Sequence, residues 1–195
     1  MDFFEKYRAD LDLSKRTGTM QRALELLLEK KKTPGIVVET GTQRLMYDPG
    51  GGMSTTIFAD FCKTYNYHLF TCDNNPEALY VAARATEQFA PVVSYVENDS
   101  VEFLKHFNQT IDLLYLDSRD IPEYDSPTSV GVVQSQIHQL LEIEAAWDKL
   151  SNDPVILLDD NNFTNGGKTR LTKYYLREHG FNEIMEGNQS LWIKS

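Results

Sequence analysis

Ile111-Asp112-Leu113-Leu114-Tyr115-Leu116-Asp117 is an apolar run closed by an acid, and four other runs in the chain end in the same way. Upstream, Ile36-Val37-Val38 leads into Glu39-Thr40-Gly41, Tyr67 to Cys72 into Asp73, and Val92 to Val96 towards Asn98-Asp99-Ser100. Downstream, Val155-Ile156-Leu157-Leu158 runs into Asp159-Asp160. Short, nearly continuous apolar runs read as strands buried on both faces of a parallel sheet. Ligands of open parallel sheets bind outside the carboxyl ends of the strands. A carboxylate at every such end therefore builds a polar site along one edge.

Between the runs the pattern changes to that of helices. Strands are expected near 36–40, 67–72, 92–96, 111–117 and 154–159, and helices near 54–65, 76–89, 100–107, 130–150 and 167–179. Pro76 suits the first turn of its helix, and Gly180 ends the last one. Phe181 to Glu186 and Ser190 to Lys194 flank Gly187-Asn188-Gln189, and so short a connection makes the two strands antiparallel. Five βα units and this hairpin predict an α/β fold, a doubly wound, seven-stranded mixed sheet with an antiparallel C-terminal hairpin. Ahead of it, Met20, Ala23, Leu24, Leu27 and Leu28 mark a helix over 19–32, capped by Thr19, with Lys30-Lys31-Lys32 on its negative end and Pro34-Gly35 as its stop. Phe3, Phe4, Tyr7 and Leu11 form a shorter amphipathic pattern, so residues 1–34 read as a helical lid on a domain spanning 35–195. The segment Ser118 to Ser129, with Pro122 and Pro127, reads as a long functional loop at the ligand edge.

A chain of 195 residues, 41% apolar and 25% charged, is an ordinary globular protein with one sizeable core. No apolar run is long enough to span a bilayer, and Met1-Asp2-Phe3-Phe4-Glu5 has no basic stretch before an apolar one, so neither a membrane partner nor a signal peptide is expected. Cys62 and Cys72 have no metal or redox spacing, which suits the cytoplasm. The net charge of -10 is uneven, because residues 1–34 carry +2 and the remainder -12. Such a body repels a phosphate backbone and argues against nucleic acid. Composition leaves room for a homo-oligomer.

The strand ends supply the candidate binding residues. Glu39, Gly41 and Thr42 leave the first strand, Gly50-Gly51-Gly52 follows, and Ser54-Thr55 open a helix. Glycine permits a tight turn and close approach of backbone to a ligand, although a surface loop explains the same residues equally well. Asp73 is placed where an acid accepts hydrogen bonds from ribose hydroxyls, while Asp73 and Asn74 also read as the polar start of the helix at Pro76. Asp99 and Ser100 can meet an adenine edge or cap the helix that follows.

On these residues the chain resembles the class I S-adenosylmethionine-dependent methyltransferases from about residue 19 to the end. Glu39-Thr40-Gly41-Thr42 is similar to that family's first motif, Asp73 to its second, Asn98-Asp99-Ser100 to its third, and the terminal hairpin to its last two strands. The resemblance implies that the first motif lies against the amino-acid part of the cofactor, that Asp73 holds the ribose, and that Asp99 contacts the adenine amine. Gln43 to Pro49 are an insertion relative to a compact glycine loop.

A narrower resemblance is to the divalent-cation-dependent O-methyltransferases. Asp117, Asp160 and Asn161 match the metal ligands of the catechol-type enzymes, and Asp117, Asp159 and Asp160 match those of the macrolide and antibiotic-sugar enzymes. Thr19-Met20, Pro34-Gly35 and Arg44 are also similar to the second group. Oxygen ligands of this kind suit Mg2+, which lowers the pKa of an acceptor hydroxyl and orients it. The lysine that follows the first metal ligand in the catechol-type enzymes is Asp120 here. Candidates for the general base are Asp120, preferred for its loop beside the metal, and His138, with Lys168 and an electrostatic role for Arg119 also considered. The resemblance thus implies methyl transfer from S-adenosylmethionine to a hydroxyl of a small molecule, assisted by Mg2+ or a similar ion. The other readings are a methyltransferase that ignores metal and a methyltransferase-like binding protein without catalysis. A nicotinamide dehydrogenase would need G-x-G-x-x-G, which is missing.

Overall fold

The computed structural model describes residues 3–30, 34–47, 51 and 53–195. Met1, Asp2, Lys31, Lys32, Thr33, Asp48, Pro49, Gly50, Gly52 and the side chains of Asp10, Leu11 and Leu13 lie outside the described residues. Seven strands form one sheet: β1 (Gly35–Thr40), β2 (Tyr67–Asp73), β3 (Val93–Glu97), β4 (Ile111–Leu116), β5 (Leu150–Leu158), β6 (Phe181–Glu186) and β7 (Ser190–Lys194). Their order is β3-β2-β1-β4-β5-β7-β6, with β7 antiparallel to both of its neighbours and the other pairs parallel. This is the mixed, doubly wound sheet that the apolar runs and the hairpin predict, and its topological switch point lies between β1 and β4.

Side chains alternate across a strand, so each run feeds two cores. Val37, Leu69, Leu113, Tyr115, Val155 and Leu157 face one side, where they meet α2 (Thr17–Lys30) and α3 (Ser54–Tyr65) through Leu24, Leu27, Phe58 and Phe61. Val38, Leu114, Leu116, Ile156 and Leu158 face the other, against α5 (Ser100–His106), α6 (Val130–Ala146) and α7 (Arg170–Glu178). The remaining helices are α1 (Phe3–Leu13) and α4 (Pro76–Ala85). Among the described residues no helix is long and apolar enough to cross a membrane.

The departures from the periodicity have local causes. The helix expected over 76–89 ends at Ala85, where Thr86 turns its hydroxyl back to the Ala82 carbonyl at 2.7 Å and a 3-10 segment continues to Val92. The helix expected from 167 starts at Arg170, because Gly166 and Gly167 have φ of +93° and +64°. Thr19 does not cap α2, which begins at Thr17; its hydroxyl donates to Gln189 Oε1 at 2.7 Å instead. Met20, Ala23, Leu24 and Leu27 of α2 lie within the core on the sheet, so this part of the expected lid is a layer of the fold.

Candidate functional site

Register brings the acids together. Thr40 pairs with Cys72 and with Leu116, and Leu116 with Leu158, so the next residues, Gly41, Asp117 and Asp159 just past their strands and Asp73 at the end of β2, line up along one edge. Bonds across the edge continue the ladder: the Gly41 amide donates to Cys72 O at 2.8 Å and the Asp117 amide to Thr40 O at 2.9 Å. Gly41 has φ +79°, and a Cβ there would lie 2.3 Å from the Asp117 carbonyl oxygen.

Two adjoining cavities open on this edge, of about 230 and about 320 Å³, and they share Gly41, Asp73, Asn74 and Ser118. The first is also lined by Thr42, Arg44, Ser54 and Asp117, and the second by Asp99, Ser100, Asp120 and His138. Asp73 accepts from the Thr42 amide at 3.1 Å and the Asn75 amide at 2.9 Å. A carboxylate has about four acceptor sites, so Asp73 keeps capacity for a ligand's hydroxyls. The Ser118 hydroxyl oxygen is buried and has no partner among the described residues. A buried orphan lining both cavities is what a polar ligand would satisfy. Asp99 caps α5 by accepting from the Glu102 amide at 3.1 Å, and Ser100 Oγ lies 3.0 Å from His138 Nε2. His138 thus stands at the Asn98–Ser100 end of the cleft.

Glu39 lines neither cavity. It is fully buried beneath them and accepts from Ser54 Oγ (2.6 Å), Thr71 Oγ1 (2.7 Å) and Thr55 Oγ1 (2.8 Å), which ties β1 to β2 and α3. Ser54 spends its hydroxyl there. Burial pushes the Glu39 carboxyl up to about 7, against the pull of the three hydroxyls, from an ordinary value of 4.5. The folded state therefore binds an extra proton between those values. The stabilisation is complete below pH 4.5 and is lost as pH rises through about 7. Urea midpoints measured against pH are expected to show about 3 kcal/mol lost across that window. Glu39→Gln, which cannot titrate, should remove that slope; parallel profiles for the two proteins would show that Glu39 does not titrate there.

The acids after β4 and β5 also meet, but they meet cations. Arg16, between α1 and α2, directs Nε and Nη2 onto Asp159 Oδ2 at 3.0 and 2.9 Å, and the Tyr115 hydroxyl donates to the same oxygen at 2.5 Å. Burial alone would raise the Asp159 carboxyl, but Arg16 and Lys168 outweigh it and hold it below the usual range. Lys168 Nζ lies 2.6 Å from Asp117 Oδ1 and 3.1 Å from Asp160 Oδ2. Burial and the charge of Asp159 raise the Asp117 carboxyl despite that ammonium. Asn161 uses both ends of its amide, accepting from Thr169 Oγ1 at 2.8 Å and donating to Gly187 O at 2.9 Å. Among the described residues, no three His, Cys, Asp or Glu side chains converge as metal ligands. As placed, the four residues do not fit Mg2+: an ammonium bridges Asp117 and Asp160, a guanidinium and a phenol hold Asp159, and a threonine hydroxyl takes the Asn161 oxygen.

At the mouth of the cleft, Arg44 makes a two-pronged pair with Asp120, 2.7 Å on each side, joining the loop after β1 to the loop after β4. The Arg44 hydrogen bonds hold the Asp120 carboxyl below its ordinary range. Sequence reasoning missed three contributors: Arg16, Tyr115 and Ser118. Tyr115 and Ser118 flank Asp117 and belong to the series at the end of β4. Arg16 lies 143 residues from its partner, and no spacing signals the contact.

A family model described as "Methyltransferase domain" matches residues 49–161, more than half of the chain. No curated protein matches. Among solved structures, the S-adenosylhomocysteine-bound methyltransferase PaMTH1 from Podospora anserina is 15% identical, with a TM-score of 0.63 over 99% of this chain and 86% of that one. The O-methyltransferase NovP is 13% identical, with a TM-score of 0.64 over 91% and 78% of the two chains. An rRNA methylase from Streptococcus thermophilus is 13% identical, with a TM-score of 0.57 over 90% and 96%.

Proposed function

The chain belongs to the methyltransferase-domain family, and we propose that it transfers a methyl group from S-adenosylmethionine to a hydroxyl of a small molecule. The observation that carries the reading is the cleft at the switch point, where Asp73 has spare acceptor capacity and the buried Ser118 hydroxyl has no partner among the described residues. The S-adenosylhomocysteine of the Podospora anserina structure and the oxygen acceptor in NovP's name support the cofactor and the reaction. An rRNA methylase has the same fold, but a body carrying -12 outside residues 1–34 disfavours an RNA backbone.

Bound S-adenosylmethionine would supply a sulfonium-activated methyl carbon, whose transfer exchanges a C–S for a C–O bond and releases the acceptor's proton. Asp73 would accept from the ribose hydroxyls, and the turn at Asn98–Ser100, backed by His138, would meet the purine. The Gly41–Thr42 backbone and the Ser118 hydroxyl would face the amino-acid part. The acceptor would enter beside Arg44 and Asp120. A polar acceptor that competes for Arg44 frees the Asp120 carboxylate to take the proton. Catalysis of this kind rests mainly on proximity and alignment. The Mg2+ implied by the sequence resemblance is no part of this reading, because Lys168 bridges Asp117 and Asp160 and Arg16 holds Asp159, so cations already stand among these carboxylates.

Calorimetry with S-adenosylmethionine tests the proposal. Wild type should bind, and Asp73→Ala should bind roughly ten- to a hundred-fold more weakly, the loss of hydrogen bonds to a charged acceptor. Failure of the wild-type protein to bind the cofactor would end the reading.

A further inference from the structure

We propose that Lys168 occupies the place of a divalent ion in this chain, bridging Asp117 and Asp160 with its ammonium, and that methyl transfer here runs without a metal. This inference rests on the methyltransferase reading above and goes beyond it. The three donors of the ammonium face three oxygens: Asp117 Oδ1 at 2.6 Å, Asp160 Oδ2 at 3.1 Å and the Arg119 carbonyl at 3.3 Å. The side chain is 1% exposed, so this is no surface lysine resting on an acid.

The backbone around Lys168 is folded to put it there. Its amide donates to Asp160 O at 3.0 Å, and Gln136 Nε2 holds the Gly167 carbonyl at 2.9 Å. Gly167 has φ +64°, and a Cβ there would lie 2.3 Å from Asp160 O and 2.5 Å from Asn161 O. Only glycine lets the chain double back this closely over the end of β5. Asp160 itself takes the left-handed region, with φ +53°.

Charge leads to the same conclusion. Two cations, Lys168 and Arg16, already stand among the three carboxyl groups of Asp117, Asp159 and Asp160, at 2.6–3.1 Å. A further divalent ion on these oxygens would have to displace the ammonium or sit beside it. Lys168 touches neither cavity, so it acts as a positioning residue: it fixes Asp117, which lines the first cavity.

The test measures Mn2+ binding by electron paramagnetic resonance on the full chain, beside cofactor calorimetry and methyl-transfer assays with and without chelator. Wild type should bind S-adenosylmethionine equally in both conditions and show no Mn2+ bound at micromolar concentration. Lys168→Ala should gain a Mn2+ site at least ten-fold tighter than any in wild type, and Lys168→Ala/Asp160→Asn should lose it. If Lys168→Ala does not fold, Lys168→Met, which keeps the stem's packing, takes its place. A micromolar Mn2+ site in wild type that disappears in Asp160→Asn, chelator-sensitive turnover, or a folded Lys168 variant blind to Mn2+ would each overturn the proposal. Absence of cofactor binding in wild type would instead remove the methyltransferase reading beneath it.

Discussion

Arg16→Met is expected to lower the free energy of unfolding by about 3–5 kcal/mol, the usual cost of stripping one partner from a buried ion pair. Asp159 is fully buried at the end of β5, and two nitrogens of Arg16 lie within 3.0 Å of one of its oxygens. Methionine keeps much of the stem's apolar contact, so the loss isolates the charge. The Tyr115 hydroxyl remains on Asp159, but a phenol donates one neutral hydrogen bond and returns no charge. For a chain of this length the cost corresponds to a fall in Tm of roughly 10 °C. The double variant Arg16→Met/Asp159→Asn removes both charges and should recover a large part of the loss, which a double-mutant cycle in urea would quantify. The sign with pH follows from the held-down carboxyl of Asp159. Its contribution is present at neutral pH and is lost as pH falls through the folded-state value, so wild type and variant should converge in acid. Additive single losses below about 1 kcal/mol would mean that the pair behaves like an exposed salt bridge.

The contrast between Asp159 and Asp73 shows what the sequence made legible. Both follow an apolar run, the pattern marks both as ligand-binding, and register places both on the same edge. That much follows from a period of two and a parallel ladder, which act over a few residues. Their environments depend on groups far away in the chain. Asp73 meets the backbone of its own turn and of the loop after β1, and stays open to the cleft. Asp159 meets Arg16, from a segment read as a lid, and shares its surroundings with Lys168, brought back by a turn at Gly166-Gly167. Glu39 illustrates the same limit: its place at a strand end points to a cofactor, but hydroxyls from α3 and β2 enclose it below the cleft. Strand ends can be read from local pattern. Whether a carboxylate there is free, paired or enclosed is a property of the packed fold.

Gly41→Ala is expected to destabilise the protein by about 2–4 kcal/mol and to weaken cofactor binding more than ten-fold. The first part sums two costs: roughly 1–2 kcal/mol for an L side chain in the left-handed region, and about 1–2 kcal/mol for overpacking at a single added carbon. A Cβ at Gly41 would lie 2.3 Å from Asp117 O and 2.9 Å from Ser118 Cα, both backbone atoms that no rotamer change can move. Relief requires β1 and β4 to part at the switch point. That parting displaces Ser118 and Asp117, which line the cleft, so binding suffers beyond the loss of stability. Gly180→Ala is the matched control. Gly180 has φ +78° but nothing within 4 Å of the added carbon. It precedes β6 at the end of the sheet away from the row of acids, since the opposite end of β6 pairs through Ser190 with Leu158. Gly180→Ala should therefore show the conformational cost alone and bind the cofactor as wild type does. Urea midpoints and calorimetric affinities of the two variants separate the terms. If both lose the same stability and both keep wild-type affinity, the close approach of Gly41 to the end of β4 has no part in shaping the site.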